Sequence, residues 1–223
     1  MKQKSKVAVI GLGNIGTTVA VNLVKGNRSV IVADRKIEKA KELSQKLGSL
    51  AHALEIPNAI KEADIIVLAI WFNAIKELFD TYATELQGKI IVDPSNPIAP
   101  DEKGGFTKII DKDQSAGQVL SSLLPEDAKL AKALGTLGVT SLAKAAFQKP
   151  GKAVLFYATD DTSIDEEIED LISDSGFEPV RVGNIDQSIR IEVFGDLHEF
   201  GALGKTVSLA EARQLKQPQY AFN

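Results

Sequence analysis

Three glycines within six positions are the first feature of this sequence that could support chemistry. Gly11, Gly13 and Gly16 lie in VIGLGNIG, between an apolar run at residues 7–10 and apolar positions that recur at helical spacing. This pattern predicts a turn that leads from a buried strand into a helix. Such a turn can bind the pyrophosphate of a dinucleotide, because glycines let the backbone approach closely and the helix start offers free N–H groups. The turn residues predicted to bind it are Gly11, Leu12, Gly13, Asn14, Ile15 and Gly16.

An acidic residue follows at the spacing that a dinucleotide site requires. Asp34 ends the predicted second strand, SVIVADR, about 20 residues after the glycine turn. An acid at this position favours two free ribose hydroxyls and therefore NAD(H). Arg35 and Lys39 lie four residues apart on one helix face, where they could bind the 2′-phosphate of NADP(H) or could form an ordinary solvated surface. The residues themselves leave NAD(H) and NADP(H) open.

Composition excludes several other kinds of chemistry. The 223 residues include no cysteine and two histidines, so thiol nucleophiles, disulfides, thiolate metal sites and a histidine-rich metal cluster are excluded, and we predict no metal site. The chemistry is therefore expected to come from a bound cofactor. His198, in DLHEF, is the one candidate proton donor, with a packing role as the alternative. His52 is expected to be structural or to lie near the adenine.

Charge and hydropathy indicate an ordinary globular protein. The chain is 44% hydrophobic and 25% charged, with a formal net charge of −4. Because no cluster of lysine and arginine stands out, we predict neither nucleic-acid binding nor binding to an anionic membrane surface. The longest apolar stretch, residues 65–72, is too short for a membrane span, and no signal peptide is evident before the first strand. We therefore expect a cytoplasmic location.

Strands and helices alternate along the chain, which predicts an α/β fold with a Rossmann-like, doubly wound, mostly parallel sheet. In the first half the predicted elements are helix 14–25, strand 29–34, a charged helix ending at Gly48, strand 50–53, helix 57–63, a continuous strand over ADIIVLAIWF (63–72), helix 73–86 and a strand in KIIVDPSNP (89–97). Residues 94–117 carry prolines, glycines and charges, and are predicted to be a long loop with at most a short turn of structure.

The second half continues the alternation and then changes character. The predicted elements are helix 117–124, AKLAKAL (128–134) as either helix or strand, helix 140–147, strand 153–159, acidic helix 163–176 and strand 178–183. We predict a nucleotide-binding domain over residues 1–183 and a short helical or irregular segment over 184–223 that covers the cleft or a dimer interface. Because the apolar stretch 185–204 is large for a lone surface, we expect a homodimer. LKQPQYAFN (215–223) is predicted to be a mobile tail or a strap.

Several motifs in order resemble one known family. VIGLGNIG, VADRKIEKA, ADIIVLAIWFNAI, KIIVDPSNPI, LGTLGVTSLAKAAF and GDLHEFGALG together resemble the F420-dependent NADP oxidoreductases over about residues 6–204. A more distant resemblance is to the reductase domain of the six-transmembrane metalloreductases. The resemblance implies hydride transfer between NADP(H) and a deazaflavin. It also implies that the nicotinamide lies near Ile70, Trp71, Phe72, Pro94, Ser95, Asn96 and Pro97, for which core packing and turn formation are the alternatives.

The sequence departs from that family at Asp34 and at Leu12, which lies in the glycine turn where family members often have a hydroxyl, and it leaves the electron acceptor open. Family members usually carry a small hydroxylated residue before the phosphate-binding arginine, where this chain has Asp34. No deazaflavin site is recognisable in the residues, so a deazaflavin, another flavin, a quinone or a small carbonyl compound could accept the electrons. We predict an oxidoreductase that transfers a hydride between NAD(P)H and a small-molecule electron acceptor. The alternatives are a nucleotide-binding sensor without turnover and a carbonyl dehydrogenase, although the latter normally has a larger second domain.

Overall fold

The computed structural model describes residues 4–102 and 104–215, which contain one eight-stranded sheet and one small hairpin. The sheet strands are β1 Val7–Ile10, β2 Val30–Ala33, β3 Ala51–Ala53, β4 Ile65–Leu68, β5 Ile90–Asp93, β8 Lys129–Lys132, β9 Val154–Thr159 and β10 Glu178–Gly183, and the hairpin strands are β6 Ile98–Pro100 and β7 Phe106–Lys108. The order across the sheet is β3-β2-β1-β4-β5-β8-β9-β10. All neighbouring pairs are parallel except β8 and β9. This confirms the predicted Rossmann-like, mostly parallel sheet.

Helices cover both faces of the sheet, and its central strands are therefore buried on both sides. Val7 and Val9 pack with Leu23 in one core, whereas Ala8 and Ile10 pack with residues of other helices in a second core. This alternation follows from the two-residue period of a strand. The helices are α1 Asn14–Lys25, α2 Ile37–Leu47, α3 Ile56–Glu62, α4 Phe72–Thr81, α5 Ala116–Ser121, α6 Val139–Lys144, α7 Asp165–Asp174, α8 Ser188–Ile191 and α9 Leu209–Leu215.

The fourth strand and its helix differ from the prediction. The strand predicted over residues 63–72 ends at Leu68, and α4 begins at Phe72 and ends at Thr81, earlier than the predicted helix 73–86. The apolar run continues past the strand because Ala69 and Ile70 pack against the glycine turn after β1. Hydrophobicity alone therefore did not mark where the chain leaves the sheet.

Two further differences lie beyond β5. The predicted loop 94–117 contains the antiparallel hairpin β6–β7, in which Ile98 pairs with Lys108. The segment AKLAKAL, left open between helix and strand, forms β8 between β5 and β9. Leu130 and Ala131 are buried there, and pairing on both sides of β8 outweighs the helix propensity of alanine and lysine. Neither feature has a local sequence signal strong enough to predict it.

The segment after β10 packs on the sheet. Ile191, Leu197 and Val207 form a third core with Val154 and Val180 of β9 and β10. Residues 185–187 form a short 3₁₀ turn before α8. Apart from Leu215, the predicted tail LKQPQYAFN lies outside the described residues. No helix in the described ranges is long and apolar enough to cross a membrane.

Candidate functional site

The glycine turn lies where the chain order of the sheet reverses. From β1 the chain proceeds to β2 and β3 on one side, and β4 and β5 lie on the other side. Gly11 has φ of +91°, and a Cβ there would lie 2.5 Å from both the Ala69 carbonyl oxygen and Ile70 Cγ2. A Cβ on Gly16 would overlap the Gly11 carbonyl oxygen. Both glycines are therefore required by the close packing of α1, β1 and the chain after β4.

Gly13 differs from the other two glycines because it faces open space. No atom lies within 4 Å of the position that its Cβ would take. It is the N-cap of α1 and has no side chain to cap the helix. Open space in front of uncapped N–H groups is the arrangement that a diphosphate requires, so this turn fits a dinucleotide.

The remaining turn residues divide between the open side and the core. Asn14 is exposed beside Gly13. Leu12 is 2% exposed and belongs to the core on the α1 side of the sheet, against which Ile15 also packs. The structure therefore gives the side chains of Leu12 and Ile15 a packing position, and leaves the backbone of the turn to face the open space.

Asp34 is bonded to the glycine turn and to its own helix start. One carboxylate oxygen accepts a hydrogen bond from the Leu12 N–H at 2.9 Å, and the other accepts one from the Lys36 N–H at 3.1 Å. The Lys39 ammonium lies 3.7 Å away, and both Lys39 and Arg35 are exposed. Burial alone would raise the pKa of Asp34, but the two hydrogen bonds and the nearby cations outweigh it, so the pKa is lowered. Asp34 is therefore ionised, and the Lys39 ammonium partly offsets its negative charge.

An open apolar pocket of about 170 Å³ lies beyond the end of β4. Its lining residues come from the start of α4 and from the β6–β7 region: Trp71, Phe72, Asn73, Ile98, Ala99, Pro100 and Ile109. Trp71 is 64% exposed, whereas Phe72 is 9% exposed and belongs to the core. Trp71 is thus free to contact a ligand, and Phe72 mainly packs. The contribution of the hairpin was not anticipated from the sequence.

The Pro94–Pro97 loop lies beneath the segment that follows β10. Pro94, Ser95 and Pro97 are buried, and Asn96 is half-buried. Asp93 accepts a hydrogen bond from the Ser95 N–H at 2.7 Å, which is ordinary turn chemistry. The Asn96 side-chain oxygen accepts one from the Val193 N–H at 2.7 Å. The loop is therefore held from both sides and has little freedom to move.

His198 is a buried, neutral side chain in this structure. It is 1% exposed, its Nε2 lies 2.9 Å from the Gly135 carbonyl oxygen, and its Nδ1 accepts a hydrogen bond from the Phe200 N–H at 2.9 Å. The acceptor role of Nδ1 places the proton on Nε2, which donates to Gly135. Burial lowers the pKa of His198 to about 4. Since both ring nitrogens bond to the backbone, this geometry argues against the predicted proton donor and favours the packing alternative.

A buried charge cluster beside the loop was missed in the sequence. Lys132 is 2% exposed, and its Nζ lies 2.7 Å from the Asp93 carboxylate and 3.8 Å from that of Glu192. Burial raises the pKa of Glu192, although Lys132 and the N–H groups of Ala116 and Gly117 oppose the shift. In the sequence, the position of Asp93 at the end of a buried strand is the one indication of such a cluster. Within the described residues no group of three or more His, Asp or Glu side chains could hold a metal ion.

Residues 6–97 match the family described as NADP oxidoreductase coenzyme F420-dependent. The chain is 27% identical to the F420-dependent NADP reductase of Methanocaldococcus jannaschii, over 86% of this chain and 90% of that protein. It is 24% identical to Metalloreductase STEAP3 of Rattus norvegicus, but there it spans 36% of the relative's length.

One solved structure is similar over almost the whole chain. A hypothetical protein from Sinorhizobium meliloti superposes with a TM-score of 0.76 at 25% identity, covering 92% of this chain and 95% of that one. The two chains therefore share a fold. The match of residues 6–97 and the similar reductase of Methanocaldococcus jannaschii confirm the resemblance recognised in the motifs. Residues 6–97 of this chain are similar to the F420-dependent NADP oxidoreductases.

Proposed function

We propose that this protein is an oxidoreductase that transfers a hydride between NADP(H) and a small-molecule electron acceptor. The observation that carries the proposal is the glycine turn. Close packing leaves no room for a side chain at Gly11 or Gly16, whereas Gly13 faces open space at the start of α1. The match of residues 6–97 to an NADP-dependent family supports the same reading.

The chain's own residues bind and align the reactants. The backbone of the glycine turn and the start of α1 hold the pyrophosphate. Trp71 and the pocket between α4 and the hairpin offer an apolar surface on which an aromatic ring can lie. The nicotinamide supplies the hydride, and direct transfer between two aligned rings needs no protein nucleophile.

NADP(H) is the cofactor that the local charges favour. Asp34 already accepts two backbone hydrogen bonds and lies 3.7 Å from Lys39, so its negative charge is partly neutralised. Arg35 lies just before α2, not on the helix face that the sequence predicted it to share with Lys39 of the first turn. Both side chains are exposed near Asp34, and we propose that together they bind one phosphate. Asp34 thereby has a role in holding the turn that does not depend on a free 2′-hydroxyl. NAD(H) remains the cofactor to compare against.

A deazaflavin is the acceptor that we propose, because the reductase of Methanocaldococcus jannaschii that covers most of the chain is F420-dependent. NADPH gives up two electrons and one hydrogen as a hydride, and the acceptor gains this hydride and one proton. We propose that solvent supplies the proton, because both nitrogens of His198 are engaged by the backbone. Flavins, quinones and small carbonyl compounds are the other acceptors to test.

The test is the loss of nicotinamide absorbance when the purified chain is mixed with NADPH or NADH and each acceptor in turn. We expect turnover with NADPH and a deazaflavin, and weaker turnover with NADH. Tight NADPH binding without turnover on any acceptor would overturn the enzymatic proposal and favour a nucleotide sensor. Turnover only with small carbonyl compounds would favour the dehydrogenase instead.

The exposed aromatic residues of the last segment support a homodimer. Phe194 is 54% exposed and Phe200 is 62% exposed, so two large apolar side chains of this segment face solvent in the single chain. We propose that these residues contact a second copy. Sedimentation of the wild type and of a Phe194→Ser, Phe200→Ser double variant tests this, because a monomeric wild type would contradict it. The cytoplasmic location and the boundary at residue 183 stay predictions.

A further inference from the structure

Both backbone groups of Ser95 are bound by one buried ion pair. Lys132 lies on β8, 2.7 Å from Asp93 at the end of β5, and the two side chains are 2% and 0% exposed. Lys132 donates a hydrogen bond to the Ser95 carbonyl oxygen, and Asp93 accepts one from the Ser95 N–H at 2.7 Å. The ion pair therefore determines the direction of both peptide groups at the centre of the Pro94–Pro97 loop.

A second set of contacts ties the same loop to the segment after β10. Glu192 accepts hydrogen bonds from the N–H groups of Ala116 and Gly117 at 2.9 and 3.0 Å, and one of its oxygens lies 3.8 Å from Lys132. The next residue, Val193, donates to the Asn96 side chain. Two consecutive loop residues, Ser95 and Asn96, are thus held from two distant parts of the chain, β8 and the segment after β10, in addition to the neighbouring Asp93.

The composition of this cluster favours a geometric role over a stabilising one. A buried ion pair contributes little net stability, because the cost of removing two charges from water offsets their attraction, and apolar residues of similar volume often serve as well. What the pair does supply is direction, since each hydrogen bond holds one peptide group in one orientation. The cluster also lies at the carboxyl ends of β5 and β8, the edge of an open α/β sheet at which ligands bind.

We infer that Lys132 is a positioning residue for the reaction: with Asp93 and Glu192, it holds the Pro94–Pro97 loop in the orientation in which that loop supports the nicotinamide ring. The inference rests on the proposed function. Hydride transfer is sensitive to such positioning, because a misplacement of about 1 Å can reduce the rate by on the order of a hundredfold. The pyrophosphate is held at β1, two strands away from β5, so Lys132 is expected to affect alignment more than affinity.

The experiment compares Lys132→Met with Lys129→Met. Both lysines lie on β8, but Lys129 is at the exposed start of the strand, where it bonds to Asp161 at 3.0 Å. In Lys132→Met we expect kcat to fall by about ten- to a hundredfold, whereas the Kd for NADPH changes less than about threefold. Lys129→Met should match the wild type in both. An unchanged kcat in a folded Lys132→Met protein would overturn the inference.

A double variant covers the case in which Lys132→Met does not fold. Asp93→Asn with Lys132→Met removes both charges together and keeps a side-chain acceptor for the Ser95 N–H, while the bond from Lys132 to the Ser95 carbonyl is lost. We again expect kcat to fall while the Kd for NADPH changes little. If instead the two constants change in parallel with the melting temperature, the cluster is merely structural and the inference is wrong.

Hydrogen exchange separates this inference from the proposed function. We expect faster amide exchange in residues 90–98 of the variants, with residues 6–16 unchanged. Absence of turnover in the wild type would reject the proposed function alone. Unaltered exchange in residues 90–98 of the variants would reject the positioning role, whether or not the wild type turns over.

Discussion

The carboxylate of Asp34 accepts a hydrogen bond from the backbone N–H of Leu12 at 2.9 Å, and so joins the end of β2 to the glycine turn after β1. An acid at this position was interpreted from the sequence as a ribose ligand. The structure shows that the same carboxylate also holds the glycine turn, which we propose binds the cofactor. We therefore expect the geometry of the turn and the choice of cofactor to be coupled at this side chain.

Replacing Asp34 by Asn tests this coupling. Asn keeps an oxygen that can accept from Leu12 but removes the charge that opposes a 2′-phosphate. Like charges about 4 Å apart interact by roughly 4 kcal/mol at an effective dielectric constant near 20, and Lys39 already offsets part of this. We expect NADPH to bind about tenfold more tightly and NADH more weakly, as measured by quenching of Trp71 fluorescence. An unchanged ratio of the two Kd values would show that Asp34 does not face the ribose.

Two exposed cations, Arg35 just before α2 and Lys39 in its first turn, are expected to select NADPH. Charge-assisted hydrogen bonds contribute about 1.5–3 kcal/mol each, so Arg35→Ala or Lys39→Ala should weaken NADPH binding by roughly ten- to a hundredfold. Binding of NADH should change little. Lys41→Ala on the same helix is the matched control, since Lys41 is also exposed. Equal losses of NADPH and NADH affinity would contradict phosphate recognition, and calorimetric titration measures both.

Substitutions at two glycines of the turn are expected to have different effects, one on NADPH binding and the other on folding. Gly13→Ala should fold with a near-native melting temperature, because nothing lies within 4 Å of the new Cβ, yet it should bind NADPH more than tenfold more weakly because that Cβ occupies the phosphate space. Gly16→Ala should fail to fold or lose several kcal/mol, since its Cβ would overlap the Gly11 carbonyl. Thermal unfolding with and without NADPH distinguishes the two. Undiminished binding by Gly13→Ala would remove the turn from the site.

Trp71 and Phe72 are neighbours in sequence with opposite expected roles. Trp71 is 64% exposed, so Trp71→Ala should leave the free energy of unfolding nearly unchanged while reducing turnover. Phe72 is 9% exposed, and Phe72→Ala should cost about 3–5 kcal/mol through the cavity it leaves. Urea unfolding followed by circular dichroism measures both. Normal turnover in Trp71→Ala would leave the pocket without a role in ring binding.

His198 is expected to make the fold sensitive to acid but to leave chemistry largely unaffected. Burial lowers its pKa to about 4 from an ordinary value of 6.5, so the unfolded chain takes up the proton first as the pH falls. Its contribution to the free energy of unfolding is complete above pH 6.5 and is lost as the pH falls towards 4, by up to about 3 kcal/mol. His198→Gln should remove this part of the pH dependence.

The same variant tests the proton-donor hypothesis. Removal of a general acid reduces turnover by about 10²–10⁴-fold. We expect a much smaller loss in His198→Gln at neutral pH. A loss within that range, in a variant that unfolds like the wild type, would restore His198 as the proton donor.

The glycine turn could be predicted because its signals are local. Glycine spacing, an apolar strand before it and a helical period after it lie within residues 7–24, and Asp34 follows at a set distance. Buried parallel strands are continuous apolar runs, so the order of strands and helices could also be predicted from the sequence. The same rule placed the end of β4 too late, because Ala69, Ile70 and Phe72 are apolar for packing outside the sheet and Trp71 is exposed.

The sequence by itself determined the fold class, the glycine turn and the absence of cysteine chemistry, because each depends on residue type and local spacing. Only the tertiary structure decided which polar side chains are buried together. Asp93, Lys132 and Glu192 are separated by 39 and 60 residues, and the lysines of AKLAKAL are indistinguishable until β8 pairs between β5 and β9. Likewise, only the tertiary structure shows that His198 is buried and that its two ring nitrogens bond to the backbone of Gly135 and Phe200. Burial of a charge depends on neighbours that are distant along the chain, and no local pattern encodes them.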